Sequence, residues 1–159
     1  NSSEHRWGDR TAEIVDFVLY QDDEKFPSIL SLDKVIQIEF RICFRADILI
    51  PIFGFALKTK EGVTIYNTNS DIQKESGAKS TLAGDEWFVR IKMPVTLYTG
   101  DYFISAGIAS RATNGEIIPH DRRYDSIHLQ IESIPHFSGL VDLKAEIGIE
   151  VIKKHDKST

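Results

Sequence analysis

Residues 97–110 of this 159-residue chain, LYTGDYFISAGIAS, carry its clearest signal of a fold. Leu97, Gly100 and Tyr102 have the L-x-x-G-x-Y spacing of a tyrosine corner, where a tyrosine entering a strand turns its hydroxyl back to an upstream backbone group. Gly100 permits the tight turn because a residue without a Cβ atom adopts positive φ at little cost. Tyrosine corners belong to Greek-key sandwiches, so this stretch predicts a two-sheet β fold.

Apolar and polar residues alternate along much of the remaining chain, which is the period of a half-buried strand. The clearest alternation runs from Lys34 to Arg45. Residues 111–125 are polar and rich in turn formers, so we interpret them as a long loop. We therefore predict an all-β, immunoglobulin-like antiparallel β-sandwich with an additional C-terminal strand at Ile147–Ile152. Its seven regular strands are predicted at residues 11–20, 34–45, 49–59, 63–68, 80–93, 101–110 and 126–133.

The predicted domain organisation has a flexible N-terminal segment at residues 1–10, the sandwich at 11–133, and a connector with the C-terminal strand at 134–159. Ile147, Ile149 and Val151 are spaced for burial on one face of that last strand. An apolar strand with an unpaired edge adds to a sheet, either its own or that of a second copy. Exchange of this strand about a two-fold axis gives a homodimer, and folding back onto its own sandwich is the alternative.

The composition argues against several classes of partner and environment. A net charge of −5 leaves no broad basic field, so nucleic acid and anionic membranes are not expected as partners. Cys43 is the only cysteine, so no disulfide forms within the chain, which is compatible with a reducing compartment. Apolar runs stay well below the roughly 20 residues of a membrane-spanning helix.

The sequence shows no catalytic constellation. The motifs G-x-S-x-G, HExxH and CxxC and the glycine-rich phosphate loops are absent, so neither hydrolysis nor nucleotide binding is expected within this segment. His120-Asp121 and His128 are interpreted as ordinary polar groups rather than metal ligands. We therefore expect a non-catalytic domain without a cofactor or a metal.

The outward side chains of three predicted strands suggest a binding face. In an immunoglobulin-like order, strands 49–59, 101–110 and 126–133 are neighbours, so their outward residues share one sheet surface. A pyranose ring suits such a surface, since its C–H face packs on an aromatic ring while its hydroxyls take fixed hydrogen bonds. The alternatives are a half-covered surface aromatic at Phe103 and a solvated loop around Arg122. The predicted carbohydrate-binding residues are Lys58, Phe103, Ser105, His128 and Gln130, with Arg122 and Tyr124 reaching the face from the predicted loop.

Several short motifs follow one another in a fixed order along the chain. They are Arg6-Trp7-Gly8 leading into Ala12-Glu13-Ile14, Pro51-Ile52-Phe53-Gly54-Phe55 with Glu61-Gly62, Asn67-Thr68-Asn69, Gly100-Asp101-Tyr102-Phe103, and His120-Asp121. In their order and spacing, from Trp7 to about Glu132, the chain resembles the C-terminal carbohydrate-binding domain of Wzt-type ATP-binding subunits of ABC transporters that export O-antigen polysaccharide.

The resemblance implies a cytoplasmic domain attached to a separate ATP-hydrolysing domain, at the inner face of the cytoplasmic membrane, with a transmembrane transporter subunit as partner of the parent protein. It also implies recognition of the modified non-reducing end of an O-antigen polysaccharide during lipopolysaccharide biosynthesis. No individual binding residue is transferred, because members of the family read different glycans. The alternative is a structural or protein-docking domain of an export complex that has no glycan site.

Overall fold

The computed structural model describes residues 5–132 and 134–155 of the chain. Strands, turns and bends make up the secondary structure of these residues, and no helix occurs among them. The strands are β1 (His5–Trp7), β2 (Ala12–Gln21), β3 (Glu24–Lys25), β4 (Val35–Phe44), β5 (Ile52–Thr59), β6 (Thr64–Asn69), β7 (Glu86–Pro94), β8 (Gly100–Arg111) and β9 (Ile117–Ile131).

The strands form two antiparallel sheets that enclose one apolar core. The larger sheet has five strands in the order β1-β9-β8-β5-β6, and the smaller has four in the order β3-β2-β4-β7. The chain crosses between the sheets after β1, β4, β6 and β7, and the last three crossings give the connectivity of an immunoglobulin-like sandwich. The fold class predicted from the sequence is therefore confirmed.

The core consists of the inward side chains of both sheets, and it follows the predicted alternation. In β4 the even-numbered residues from Ile36 to Phe44 are buried, while the residues between them are exposed or half-buried. The opposite layer is supplied mainly by β5, β8 and β9. Its most deeply buried side chains are Leu57, Tyr102, Ile104, Ile108, Ile127, Leu129 and Ile131.

The tyrosine corner forms as predicted. The Tyr102 hydroxyl donates a 2.7 Å hydrogen bond to the backbone carbonyl of Tyr98. Gly100 has a φ of +152°, which a residue with a Cβ atom rarely adopts. The Tyr102 side chain is buried, and this burial raises the pKa of its hydroxyl. The corner thus fixes the point at which the chain enters β8, the strand at the centre of the larger sheet.

One buried carboxylate joins the two sheets at the β1–β9 edge. Asp121 is fully buried in β9, and its Oδ2 atom accepts hydrogen bonds from the backbone N–H of Ile14 in β2 (2.8 Å) and from the Arg6 guanidinium in β1 (2.6 Å). The same guanidinium donates to the Asp121 Oδ1 atom at 2.9 Å and to the Ile14 carbonyl at 3.0 Å. These bonds cross from one sheet to the other, so they hold the sandwich closed along this edge.

Residues 111–125, predicted as a loop, are largely strand. β9 begins at Ile117 and continues to Ile131, and it pairs with β8 along its length through two register shifts. The extra residues at these β-bulges interrupt the regular pairing, and they hide the strand from a search for simple alternation. The predicted end of the strand at Ser133 lies outside the described residues.

The N-terminal segment predicted to be flexible contains a strand. β1 pairs with β9, with Arg6 opposite Arg123 and Trp7 opposite Arg122. Gly8 then turns with a φ of +135°, and a Cβ atom there would stand 2.3 Å from the His120 carbonyl oxygen. Residues 1–4 of the predicted segment lie outside the described residues.

The C-terminal strand predicted at Ile147–Ile152 is not formed in this single chain. Residues 147–152 are described without strand pairing, and their apolar side chains are 72 to 93% exposed. A strand exists only where its backbone groups have a partner, and this segment has none within the described chain. The connector before it is docked, because the backbone N–H of Asp142 donates to the Thr96 carbonyl and that of Tyr98 to the Leu140 carbonyl.

We predict that Asp121→Asn lowers the free energy of unfolding by about 3 kcal/mol, because it leaves the Arg6 guanidinium without its buried counter-ion. Chemical denaturation followed by tryptophan fluorescence measures this change. Asp71→Asn is the matched control, since Asp71 forms a 3.1 Å pair with Arg111 in which both side chains are about half exposed. That change is expected to cost less than about 1 kcal/mol. Equal effects of the two substitutions would contradict the role of Asp121.

Candidate functional site

The candidate site is the outer face of the five-stranded sheet, the surface turned away from the core. β5, β8 and β9 are neighbours there, as predicted from the sequence. Lys58 pairs with Phe103 and Phe103 pairs with His128, so three of the predicted residues stand in one row across three strands. Gln130 lies two residues along β9, opposite Asp101.

Phe103 is half of a two-ring plate. Its ring stacks on the His128 imidazole with centroids 5.0 Å apart and an interplanar angle of 17°. The Nε2 atom of His128 lies 2.7 Å from the Asp101 Oδ1 atom, which holds the imidazole in this orientation. The pair forms one aromatic unit on the outer face, with an imidazole edge and a carboxylate beside it.

Ser105 lies in this part of the sheet, but its hydroxyl is hydrogen-bonded to the backbone. Its Oγ atom accepts a 2.8 Å hydrogen bond from the backbone N–H of Asp125, and the residue is only 9% exposed. It sits at the first β-bulge between β8 and β9. The hydroxyl predicted as a sugar contact therefore bonds to the bulge that places Tyr124 and Asp125.

Arg122 and Tyr124 lie within β9 and not on a loop, which corrects the sequence-based placement. Both project on the outer face, where the Trp7 indole Nε1 donates a 3.0 Å hydrogen bond to the Tyr124 hydroxyl. The Arg122 guanidinium lies over the Trp7 ring at 5.1 Å, and the Lys58 ammonium lies over the Tyr124 ring at 5.4 Å. Arg123 points inward, where it donates to the Ile14 carbonyl at 3.2 Å.

The environment of Tyr124 favours its ionised form. Hydrogen bonding from Trp7, followed by hydrogen bonding and positive charge from Arg122 and the charge of Lys58, lowers the pKa of its hydroxyl, although partial burial acts in the opposite direction. The lowered pKa therefore reports the Trp7 indole donor first and the two nearby cations second.

A row with two glycines at its centre crosses the middle of the face. Asn69, Gly54, Gly107, Arg122 and Trp7 are successive register partners on β6, β5, β8, β9 and β1. The two glycines leave a shallow trough, with the amide of Asn69 at one end and the Arg122–Trp7 stack at the other. A Cβ atom at Gly54 would stand 3.2 Å from the Asn69 Cβ atom, so a larger residue at position 54 would be crowded.

Trp7 was missed as a site residue, because it lies in the segment predicted to be flexible. Arg6 faces inward to bond with the buried Asp121, and the next residue, Trp7, therefore faces outward. This signal could not be seen locally, because Asp121 lies 115 residues from Arg6 in the sequence. The structure also gives the surroundings of His120. Its side chain is buried, with the Nε2 atom 2.7 Å from Ser110 Oγ and the Nδ1 atom 2.9 Å from Thr11 Oγ1. His120 and Asp121 thus form part of the packing between strands.

A cluster of two carboxylates and one histidine lies where the connector meets the sandwich. Single ligand atoms of Asp33, His136 and Asp142 lie within 4.8 Å of one another. The Lys144 ammonium forms ion pairs with both carboxylates, and the His136 Nε2 atom lies 3.0 Å from Asp142. The Lys144 cation therefore already offsets part of the negative charge of this cluster, and these bonds fasten the connector to the sandwich.

The outer face of the four-stranded sheet has a different character. Its central register pairs are Glu39 with Arg90 and Gln37 with Lys92, as expected for a solvated surface with charges of both signs. Arg90 lies over the exposed Phe88 ring at 5.2 Å. This arrangement reproduces the stacking of Arg122 on Trp7 and provides a matched control for it.

These features define an immunoglobulin-like β-sandwich with a shallow aromatic and polar trough on one sheet face. The model of the Wzt C-terminal domain family matches residues 3–143, and the chain belongs to that family. It is similar to a solved structure described as the crystal structure of the C-terminal domain of wzt, with 31% identity, 94% of this chain and 90% of that chain covered, and a TM-score of 0.86.

A weaker likeness is to the CARDB domain of a protein from Pyrococcus furiosus solved in complex with di-metal ions. It has 12% identity, covers 75% of this chain and 94% of that chain, and has a TM-score of 0.39, which is too low to support any inference. A comparison with curated proteins found no match. Among the described residues, no helix has the length and hydrophobicity needed to cross a membrane.

We predict that Trp7→Phe raises the pKa of Tyr124, because it removes the indole N–H that stabilises the phenolate. A spectrophotometric titration of tyrosine absorbance, compared with the same titration of Tyr124→Phe to assign the transition, measures the shift. Trp87→Phe is the control, since Trp87 packs on Phe44 on the other sheet and has no contact with Tyr124. An unchanged Tyr124 titration in Trp7→Phe would show that the indole does not act on the hydroxyl.

Proposed function

We propose that this domain is a non-catalytic carbohydrate-binding module that recognises the modified non-reducing end of an O-antigen polysaccharide. In this proposal the parent protein carries the ATPase domain, pairs with the transmembrane subunit of an ABC transporter, and holds the module in the cytoplasm at the inner face of the membrane. Family membership supports this setting. The single observation that supports the ligand class is the trough on the five-stranded sheet.

The trough has the features that a sugar ring requires. The stacked Phe103 and His128 rings offer a flat apolar surface for the C–H face of a pyranose. Gly54 and Gly107, four residues along β5 and β8 from Lys58 and Phe103, allow a further part of the ligand to approach the sheet closely. Carboxylate, amide and hydroxyl groups around the trough can take the sugar hydroxyls, whose directions differ from one sugar to another. They belong to Asp101, Asn67, Asn69, Tyr124 and Gln130.

An open trough also suits the end of a long chain. The rows lie on a sheet surface and not in an enclosed cavity, so a polysaccharide can extend from the trough into solvent in at least one direction. Recognition of one end group then requires contacts at one end of the trough only. This geometry favours binding without cleavage. The Ser110 hydroxyl does lie 2.7 Å from the His120 Nε2 atom, but both side chains are buried and do not line the trough.

We predict that Phe103→Ala and Gln130→Ala each weaken glycan binding about fivefold or more while the fold is retained, because both side chains lie on the outer face. Gly107→Val is expected to abolish binding by filling the trough. Titration calorimetry with purified O-antigen polysaccharide measures the affinities. Arg90→Gln on the opposite face is the control and should bind normally.

The second candidate function, a protein-docking domain without a glycan site, predicts a different pattern. It would be supported if the polysaccharide failed to bind and the three substitutions on the trough left transporter assembly unchanged. Binding of the polysaccharide with unchanged affinity by Phe103→Ala, Gln130→Ala and Gly107→Val would place the site elsewhere, with the Glu39 and Arg90 face next to be tested.

We also infer a homodimer built with the C-terminal segment. β6 and β7 are the last strands of their sheets, and a cavity of about 900 Å³ lies between the sheets at this side. Its apolar lining includes Phe55, Ile65, Trp87, Val89, Met93 and Val141. An apolar strand can fill this opening and pair with an unpaired edge at the same time.

The exposed tail has the composition for that strand. Three apolar side chains of the tail are 89, 86 and 72% exposed in the single chain, those of Ile147, Ile149 and Val151. Exposing this much apolar surface to water is unfavourable for a monomer. The docked connector brings the tail to the end of β7, because Val141 forms a bridge with Leu97. Reciprocal exchange of two such tails would cover both cavities and both tails.

We predict that ending the chain after Lys144 makes the domain monomeric, because it removes the tail and keeps the docked connector. Light scattering at several concentrations measures the mass of the full and shortened chains. Ile149→Asp in the full chain should weaken the dimer in the same way, whereas Lys153→Gln should leave it intact. A shortened chain that remains a dimer would contradict this inference.

A further inference from the structure

We propose that the turn at Lys144 is a hinge that keeps the tail, residues 145–152, off the edge of its own β7 and so presents it to a second copy of the chain. The proposal rests on the homodimer inferred above, and it specifies how exchange of the tail is favoured over closure within one chain. The register of the connector, the backbone turn at Lys144 and the ion pairs around that turn support it.

The connector already pairs with the segment that follows β7. Leu97 lies opposite Val141 in an antiparallel bridge, and the backbone N–H of Asp142 donates to the Thr96 carbonyl at 2.6 Å. In an antiparallel pair each step forward along one strand is a step back along the other. Continued from this bridge, the register would carry the tail along the outer edge of β7, which is the last strand of the smaller sheet among the described residues.

The tail fits the edge of β7 in this register. Its three apolar residues would lie opposite three residues of β7 that line the cavity. These pairs are Ile147 with Ile91, Ile149 with Val89, and Val151 with Trp87. On the other face Glu146 would lie opposite Lys92, so opposite charges also meet. An exchanged strand makes in the partner the contacts that it would make in its own chain, so the same pairs are expected with β7 of a second copy.

The backbone turns away from this path before the tail begins. Lys144 has a φ of +57°, in the left-handed region that a strand does not use and that is unfavourable for a residue with a Cβ atom. The Asp142 carboxylate stabilises this turn, because its Oδ1 atom accepts a 2.8 Å hydrogen bond from the backbone N–H of Lys144. In the continued register Lys144 would lie opposite Pro94, which has no N–H to donate, so the ladder is interrupted at the same point.

Ion pairs fasten the turn in place. The Lys144 ammonium pairs with Asp33, in the segment before β4, and lies 3.3 Å from the Asp142 Oδ2 atom. The His136 Nε2 atom lies 3.0 Å from the same oxygen, and the Asp142 side chain is only 6% exposed. Straightening Lys144 into a strand would disturb these bonds, so closure of the tail on its own chain is opposed. Exchange leaves them intact, because the tail begins beyond the turn.

Disulfide cross-linking tests the register and the source of the strand together. Cys43 is the only cysteine, so Cys43→Ser gives a background without thiols. In that background, Val89→Cys combined with Ile149→Cys is expected to form a disulfide between two chains, seen as a covalent dimer on a non-reducing gel. Tyr66→Cys combined with Ile149→Cys is the control for the edge of β6, and it should cross-link much less.

Hinge variants test the turn itself. Lys144→Val disfavours positive φ, and Asp142→Ala removes both the cap of the turn and its buried anion. Each is expected to let the tail close on its own chain and to raise the dimer dissociation constant, measured by light scattering, about tenfold or more. The disulfide between positions 89 and 149 should then form within one chain, giving a monomer without free thiols by mass spectrometry. Lys34→Gln, which removes an exposed pair with Asp22, is the control and should remain dimeric.

The outcomes separate the hinge from the dimer on which it rests. A dimer that requires the tail but is equally stable in Lys144→Val and Asp142→Ala overturns the hinge and leaves the exchange in place. A disulfide within one chain when the hinge is unchanged overturns both the hinge and the exchange. A cross-link at position 66 in place of position 89 overturns the register, and the hinge with it. Tryptophan fluorescence verifies that each variant is folded.

Discussion

The structure depends on one buried carboxylate more than on any other polar group. Asp121 has no exposure to water, and a buried anion without partners costs several kcal/mol, so the chain must bring donors to it. Two of these donors come from different strands, the backbone of Ile14 in β2 and the guanidinium of Arg6 in β1. Because successive side chains of a strand face opposite ways, fixing Arg6 inward sets Trp7 outward on the outer face of the five-stranded sheet. The core ion pair and the aromatic end of the trough are therefore consequences of the same pairing.

The sheet register then assembles the face from residues that are remote in sequence. Each strand of the larger sheet contributes one residue to the row that runs from Asn69 to Trp7. The β-bulge at Ser105 sets four residues of β9 against two of β8 and so keeps the phase of β9. Arg122 and Tyr124 on one side of it therefore face outward together with His128 and Gln130 on the other.

Much of the fold follows from local patterns, and the rest requires contacts that a single sequence does not reveal. Alternation identified β4, β5 and β8, and the spacing around Tyr102 identified the corner, because both signals are contained within a few residues. The first half of β9 was missed because Ile117 and Ile118 are adjacent, the next residue is proline, and two bulges break the period. β1 has three residues, too few to show any period, and its position is set by Asp121. For the same reasons the Phe103 and His128 row was anticipated, whereas Trp7 was not.

The separation of the two faces of the larger sheet has an evolutionary consequence. Inward residues such as Ile104 and Ile108 determine stability, and the outward residues between them touch the core very little. Substitutions at Asn67, Lys58 or Gln130 can therefore change the chemistry of the trough at almost no cost to folding. A scaffold of this kind can diversify its surface through single mutations, each of which leaves a folded intermediate, so related chains can come to present different surfaces without passing through an unstable ancestor.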